Sequence, residues 1–152
     1  MKTQPRIVVG VDRSPAAKAA LAWAVGEAKR LGASVLALSV CQLGSSSDAD
    51  TFSRTHAREL AVAVEALGST AADVHIDQQV RHGLPGPVLV EHSAGADLLV
   101  VGGHGSHQAG VLVMSSVTSH CLRHARCPVV VVPLEGARHD GPLMLRPETP
   151  VR

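Results

Sequence analysis

The chain has 152 residues, with 14 basic against 13 acidic side chains, a formal net charge of +1, 45% hydrophobic and only 1% aromatic residues, as suits one compact domain. The charges form no basic stripe, and Trp23 and Phe52 are the only aromatics, so neither phosphate neutralisation nor base stacking supports a nucleic-acid partner. No apolar run approaches the roughly 20 residues of a membrane span, the opening MKTQPRIVVG lacks a signal peptide's apolar stretch, and Cys41, Cys121 and Cys127 form no CxxC pair, so a cytoplasmic protein with reduced thiols and no membrane partner is expected.

In chain order, Ile7, Val8 and Val9 form a β-branched run ended by Gly10, the pattern of a strand buried on both faces. Ser14 is a good N-cap and Pro15 suits the first helical position. Ala17, Leu21, Ala24, Ala28 and Leu31 then share one helical face, and Gly32 supplies a C-terminal cap. Ser34 to Val40 predicts a second strand, followed by a polar, mobile loop from Gly44 to Asp50. A second amphipathic helix is expected over Phe52 to Leu67, with Ala57, Leu60, Ala61 and Val64 on its face and Gly68 closing it. Val74, Ile76, Gln78 and Val80 alternate with polar neighbours, the pattern of a third strand at a sheet edge. Pro85 to Ser93 reads as a short, weak helix leading to a buried fourth strand at Leu98 to Val101. Ser116 to His124 reads as a helix with Val117, Cys121 and Leu122 on one side, and Val129 to Val132 as the fifth strand.

Five strands alternating with helices imply right-handed parallel crossovers, hence an α/β three-layer sandwich: an open five-stranded parallel sheet with helices on both faces. Residues 134–152, rich in Pro, Gly and charge, are expected to form a flexible tail after a domain spanning 1–133.

In such a sheet ligands settle beyond the carboxyl ends of the strands, where the strand order reverses. Asp12 follows the first strand, and Gly102, Gly103, His104 and Gly105 follow the fourth. Glycines let backbone amides approach a phosphate closely, and Ser115-Ser116-Val117-Thr118 place hydroxyls and amides at a helix start. The same residues equally serve a plain strand-to-helix turn with an ordinary serine cap. No GxxxxGK[ST] occurs, the only lysines being Lys2, Lys18 and Lys29, and the first turn reads VVGVDRSPAA rather than GxGxxG. A P-loop NTPase is therefore excluded, and hydride-transfer chemistry is not expected, because the dinucleotide fingerprint is missing where it should lie.

Over residues 5–133 the sequence resembles a universal stress protein of the small single-domain type. IVVGVDRSPAAKAALAWA is similar to that family's first strand and helix, and ADLLVVG and CPVVVVP to its fourth and fifth strands. The ATP-binding branch carries a Gly, two residues, a Gly, nine residues, then Gly and Ser or Thr. Gly102, Gly105 and the nine residues Ser106 to Met114 match it, and Ser115-Ser116 departs from it only at the final glycine. The resemblance implies an adenine-nucleotide-binding, Rossmann-like fold with strand order 3-2-1-4-5 and ATP, with or without Mg²⁺, as its ligand. Gly10, Val11 and Asp12 with Val40 would border the adenosine, Asp12 toward the ribose and Val40 against the adenine, and Val101 and Gly102 would complete the wall. His104, Gly105, Ser115 and Ser116 would meet the phosphates, with Val117 and Thr118 adjoining them.

A positive φ at position 115 would make Ser costly there by on the order of 1 kcal/mol, whereas extended N-cap geometry would suit it. His120 and His124 lie one helical turn apart, with Cys121 and Cys127 near them, yet no spacing secures four zinc ligands, and a solvated helix face is the expected reading. No motif supplies a catalytic base or a nucleophile, so a stress-response regulatory or sensor module is expected, with a nucleotide-free interaction module or a slow ATPase as alternatives. Val129 to Val132 leaves an apolar sheet edge, for which homodimer formation is the expected remedy; the resemblance implies antiparallel pairing of two fifth strands.

Overall fold

A computed structural model describes residues 4–42, 49–103, 106–108, 111–113 and 115–133. The expected flexible tail 134–152 and most of the polar loop after the second strand lie outside them.

A five-stranded parallel sheet forms the centre. Its strands are β1 (Arg6–Gly10), β2 (Ser34–Cys41), β3 (Ile76–His82), β4 (Leu98–Gly103) and, last in the chain, β7 (Val129–Pro133). They lie in the order β3-β2-β1-β4-β7, the expected 3-2-1-4-5 in terms of the sheet's own strands. All four pairings are parallel, with Ile7 opposite Val35 and Leu98, and Val101 opposite Val131. Alternate residues feed two separate cores. Ile7, Val9, Val35, Ala37 and Val100 face helices α1 (Pro15–Leu31) and α2 (Ala49–Glu65), and Val8, Leu36, Leu38, Leu99 and Val101 face α3 (Pro85–Ser93) and α4 (Ser116–His124).

Local signals explain the helix ends. The Ser14 hydroxyl accepts from the Ala17 amide at 3.1 Å, and Gly32 closes α1 in the left-handed conformation (φ 68°), its amide donating to the Ala28 carbonyl. α1 buries Ala16, Ala17, Ala20, Ala24 and Ala28 around Leu21 and Val25, and this run of small side chains brings its backbone unusually close to the sheet. Gly102 marks the closest approach: a Cβ there would sit 2.7 Å from both the carbonyl carbon and the oxygen of Ala16.

Several expectations require correction. α2 begins at Ala49, within the segment expected to be loop, and ends at Glu65, while Gly68 (φ 56°) opens a 3₁₀ turn, Gly68–Ala71, instead of capping the helix. β3 starts at Ile76 rather than Val74, because the chain reverses through Asp73 in the left-handed conformation (φ 71°). Leu31 and Leu122, assigned from periodicity to buried faces, are exposed, since the helices turn those positions away from the sheet. Two three-residue strands, β5 (Ser106–Gln108) and β6 (Val111–Val113), pair antiparallel between β4 and α4 as a separate ribbon.

β3 is an edge strand, as its alternation implies, and exposes Asp77, Gln78, Arg81 and His82. The opposite edge, β7, presents four consecutive valines, all partly buried. Beneath α4, Cys121 is fully buried, and burial pushes its thiol up to about 11. The unfolded chain therefore ionises this thiol first, and stability is expected to fall as pH rises from the ordinary thiol range toward about 11. Urea midpoints at pH 8 and at about pH 10, compared with those of Cys121→Ala, measure the effect; an equal alkaline loss in the variant would assign it to other groups.

Candidate functional site

Strand order reverses between β1 and β4, since β1 connects outward to β2 while β4 lies on its other side. At the carboxyl ends of these two strands opens a cleft of about 110 Å³. It gathers eight of the residues assigned from sequence: Gly10, Val11 and Asp12 from β1 and its exit, Val40 from β2, Val101 and Gly102 from β4, and Val117 and Thr118 from α4. Leu38, Pro85, Leu89 and Ala17 complete the wall and were not foreseen. The signal for Leu38 was its place two residues before Val40, which puts both side chains on the same face of β2. Pro85 and Leu89 come from α3, whose packing over this strand end is not encoded by any local pattern.

His104 and Gly105 lie outside the described residues. Ser115 and Ser116 stand at the start of α4, next to the cleft residues Val117 and Thr118. Larger cavities, of about 380 and 590 Å³, open on the α1 and α2 side of the sheet. Both border Asp12, which thereby stands between the switch-point cleft and the opposite face.

The geometry of each polar group limits its chemistry. The Asp12 carboxylate accepts from the Ser14 amide at 2.8 Å, so the turn into α1 fixes the acid at the cleft mouth. Thr118 is 1% exposed; its hydroxyl donates to the Gly102 carbonyl at 3.1 Å and accepts from the Ser115 hydroxyl at the same distance. That inward bond clamps α4 to the end of β4, so Thr118 shapes the cleft rather than offering its hydroxyl to a ligand. Gly102 likewise lacks a side chain because α1 packs against it, a cause distinct from the phosphate approach read from the glycine cluster. At Gly10 a Cβ would lie 3.1 Å from the Leu89 methyls, a contact a side chain can relieve.

Ser115 has φ −65° and ψ 161°, extended N-cap geometry, and its hydroxyl accepts from the Thr118 amide at 3.2 Å. Position 115 therefore needs no glycine, and serine there imposes no backbone strain. The first-turn amides of Ser116 and Val117 have no acceptor within the helix and point out of its positive end. Ser115→Ala is expected to destabilise the fold by about 1 kcal/mol, and Ser115→Gly by only a few tenths. Urea denaturation checks the order; equal losses would show that the hydroxyl bond contributes nothing.

Among the described residues no helix is long and apolar enough to cross a membrane, and no group of three or more His, Cys, Asp or Glu side chains is placed to hold a metal ion.

The chain shares this architecture with known proteins. The profile of the Universal stress protein family matches residues 5–133. A universal stress protein of Mycobacterium tuberculosis is 35% identical over 136 residues, covering 86% of this chain and 48% of its own length. The chain thus spans about half the length of the curated relatives it matches. Among solved structures, the universal stress protein UspA from Lactobacillus plantarum superposes with a TM-score of 0.64 at 27% identity, over 86% of this chain and 99% of that one. A universal stress protein in complex with cAMP gives 0.68 at 24% identity, over 86% and 98%. One from Archaeoglobus fulgidus in complex with dAMP gives 0.63 at 19% identity, over 87% and 99%. With its sheet order, switch-point cleft and family profile all in agreement, the chain belongs to the universal stress protein family.

Proposed function

We propose that the chain binds an adenine nucleotide, ATP in the first instance, in the cleft between β1 and β4, and acts as a cytoplasmic stress-response regulatory or sensor module rather than a fast catalyst. The observation that carries this reading is the convergence of Asp12, Val40, Val101 and Gly102 on the switch-point cleft beside an α4 start whose Ser115 keeps N-cap geometry. The complexes of related folds with cAMP and dAMP support the adenine nucleotide as ligand class.

In this reading the apolar walls formed by Val40, Leu38 and Val101 take the adenine, whose flat faces match aliphatic surfaces. Asp12 accepts hydrogen bonds from the ribose hydroxyls. The amides of Ser116 and Val117, with the Ser116 hydroxyl, Gly105 and His104, meet the phosphates at the positive end of α4, while Ser115, its hydroxyl held inward on Thr118, caps the helix beside them. Mg²⁺, when bound with ATP, would neutralise phosphate charge, and Asp12 is the cleft carboxylate suited to it.

Isothermal titration of nucleotide-stripped protein with Mg-ATP tests the proposal, with Asp12→Ala as the control. Saturable binding near one nucleotide per chain, weakened at least tenfold in the variant, is expected. Absence of heat at millimolar ATP would sink it and favour the second reading, an interaction module that uses the fold without a nucleotide. One observation favours that alternative: Gly102 and Thr118 both have complete structural explanations in the packing of α1 and α4.

The proposal includes a homodimer formed through β7, an edge strand of four valines whose outer hydrogen-bonding groups are unmatched within the sheet. Light scattering at micromolar concentration is expected to give twice the chain mass, and Val131→Lys to return the monomer. A monomer for the unaltered protein would remove this part of the reading.

A further inference from the structure

The geometry points to a divalent transition-metal site on α4, at the margin of its contact with α3, formed by the imidazoles of His120 and His124. The two rings lie with centroids 4.5 Å apart and planes inclined at 43°. Residues four apart on a helix project in nearly the same direction, so both rings border one volume beside the helix. Two nitrogens each about 2.0–2.1 Å from one Zn²⁺ lie at most about 4 Å apart. With centroids 4.5 Å apart, the two rings are already spaced on the scale of that limit.

Three further features suit a cation here. His120 is seated against Gly86 at the start of α3, where a Cβ would fall 2.9 Å from two carbons of its ring. The missing side chain thus defines where this first ligand sits, and ordering half of a chelate in advance lowers the entropy lost on binding. His124 is exposed and free to rotate toward an incoming ion. His124 is the last residue of α4 and His120 stands one turn before it, and the last carbonyls of a helix carry partial negative charge. Arg123 and Arg126 are exposed on the same end, but Arg123 projects about 100° away around the helix axis from His124.

Imidazole pairs select borderline ions, Zn²⁺, Ni²⁺ and Cu²⁺, over Mg²⁺ and Ca²⁺, which prefer oxygen ligands. With two protein ligands the remaining coordination positions stay with water. The site lies outside the switch-point cleft, none of whose lining residues is a histidine, so it stands or falls apart from nucleotide binding.

The test uses the full chain without a histidine tag, stripped with chelator and titrated with Ni²⁺ by calorimetry and with Zn²⁺ while imidazole resonances are followed by NMR. The first equivalent is expected to shift the His120 and His124 resonances together, before those of the other histidines. The affinity of that step should fall at least tenfold in His124→Ala and in His120→Gln, and remain unchanged in His75→Ala. Since His124 is exposed, its variant should retain the wild-type circular dichroism, so a loss there reports ligation rather than unfolding. A first equivalent of undiminished affinity in His124→Ala, or Zn²⁺ shifts that begin at other histidines, would overturn the assignment.

Discussion

Gly102→Ala is expected to destabilise the protein by about 2–3 kcal/mol and to weaken nucleotide binding at least tenfold. Overpacking usually costs about 1–3 kcal/mol, because neighbouring side chains rotate aside. Here the added methyl meets the Ala16 carbonyl group, at 2.7 Å from both carbon and oxygen, and a backbone held in the first turn of α1 cannot rotate. Relief requires α1 to lift from β4, which carries the Asp12 turn with it and opens the clamp between Thr118 and the Gly102 carbonyl. Gly26→Ala is the contrasting case: its Cβ meets nothing within 4 Å in the middle of α1, and the change is expected to stabilise by about 0.5–1 kcal/mol. Thermal and urea denaturation of both variants, with titration of ATP, provide the check. A neutral Gly102→Ala would show that α1 sits farther from the sheet than described.

Leu36→Ala and Leu38→Ala are expected to cost about 2–5 kcal/mol each, with Leu36 the larger. Both side chains are fully buried on the α3 and α4 face of β2, 1% and 0% exposed respectively. They differ in what surrounds the void left by truncation. Leu38 lines the switch-point cleft, so its cavity joins a space that already exists and can be wetted or closed by Val40 and Leu89. Leu36 does not line that cleft, and a cavity there would open within the buried cluster that holds Val8, Leu99 and their neighbours. The residual void is what scales the cost when chemistry is constant. Leu38→Ala should in addition change nucleotide affinity at least threefold, whereas Leu36→Ala should leave it within a factor of two in the folded fraction. A larger loss for Leu38 would mean that its side chain is as enclosed as that of Leu36.

Elements with strong punctuation were legible from the sequence. Ser14-Pro15 and Gly32 bracket α1 as expected, and the limits of α3 and α4 agree with those read from Pro85 and Ser116 onward. The buried strands were legible because a β-branched run between turn residues has few other uses. What failed was set by distant contacts. The start of α2 has no proline and lies in a polar stretch that periodicity reads as loop, and the β5–β6 ribbon is too short to show any period. In the cleft, Asp12, Val40, Val101, Val117 and Thr118 could be placed because strand ends and helix starts converge in this topology. The separate roles of Gly102 and Thr118 could not, because a glycine needed for helix packing and one needed for phosphate approach look alike in sequence. Position 115 shows the converse: a departure from a family pattern proved compatible with the backbone once its dihedral angles were known.

The two margins of the sheet differ in kind, β3 offering Asp77, Arg81 and His82 to water and β7 a row of valines. A sheet with two receptive margins can add copies at both ends and grow without limit. One with a single receptive margin has no growing end left after its first partner has joined. The proposed association through β7 would thus be a closed, two-fold event, and the charges along β3 would act as a chain terminator that keeps a valine-rich sheet from elongating into a fibre.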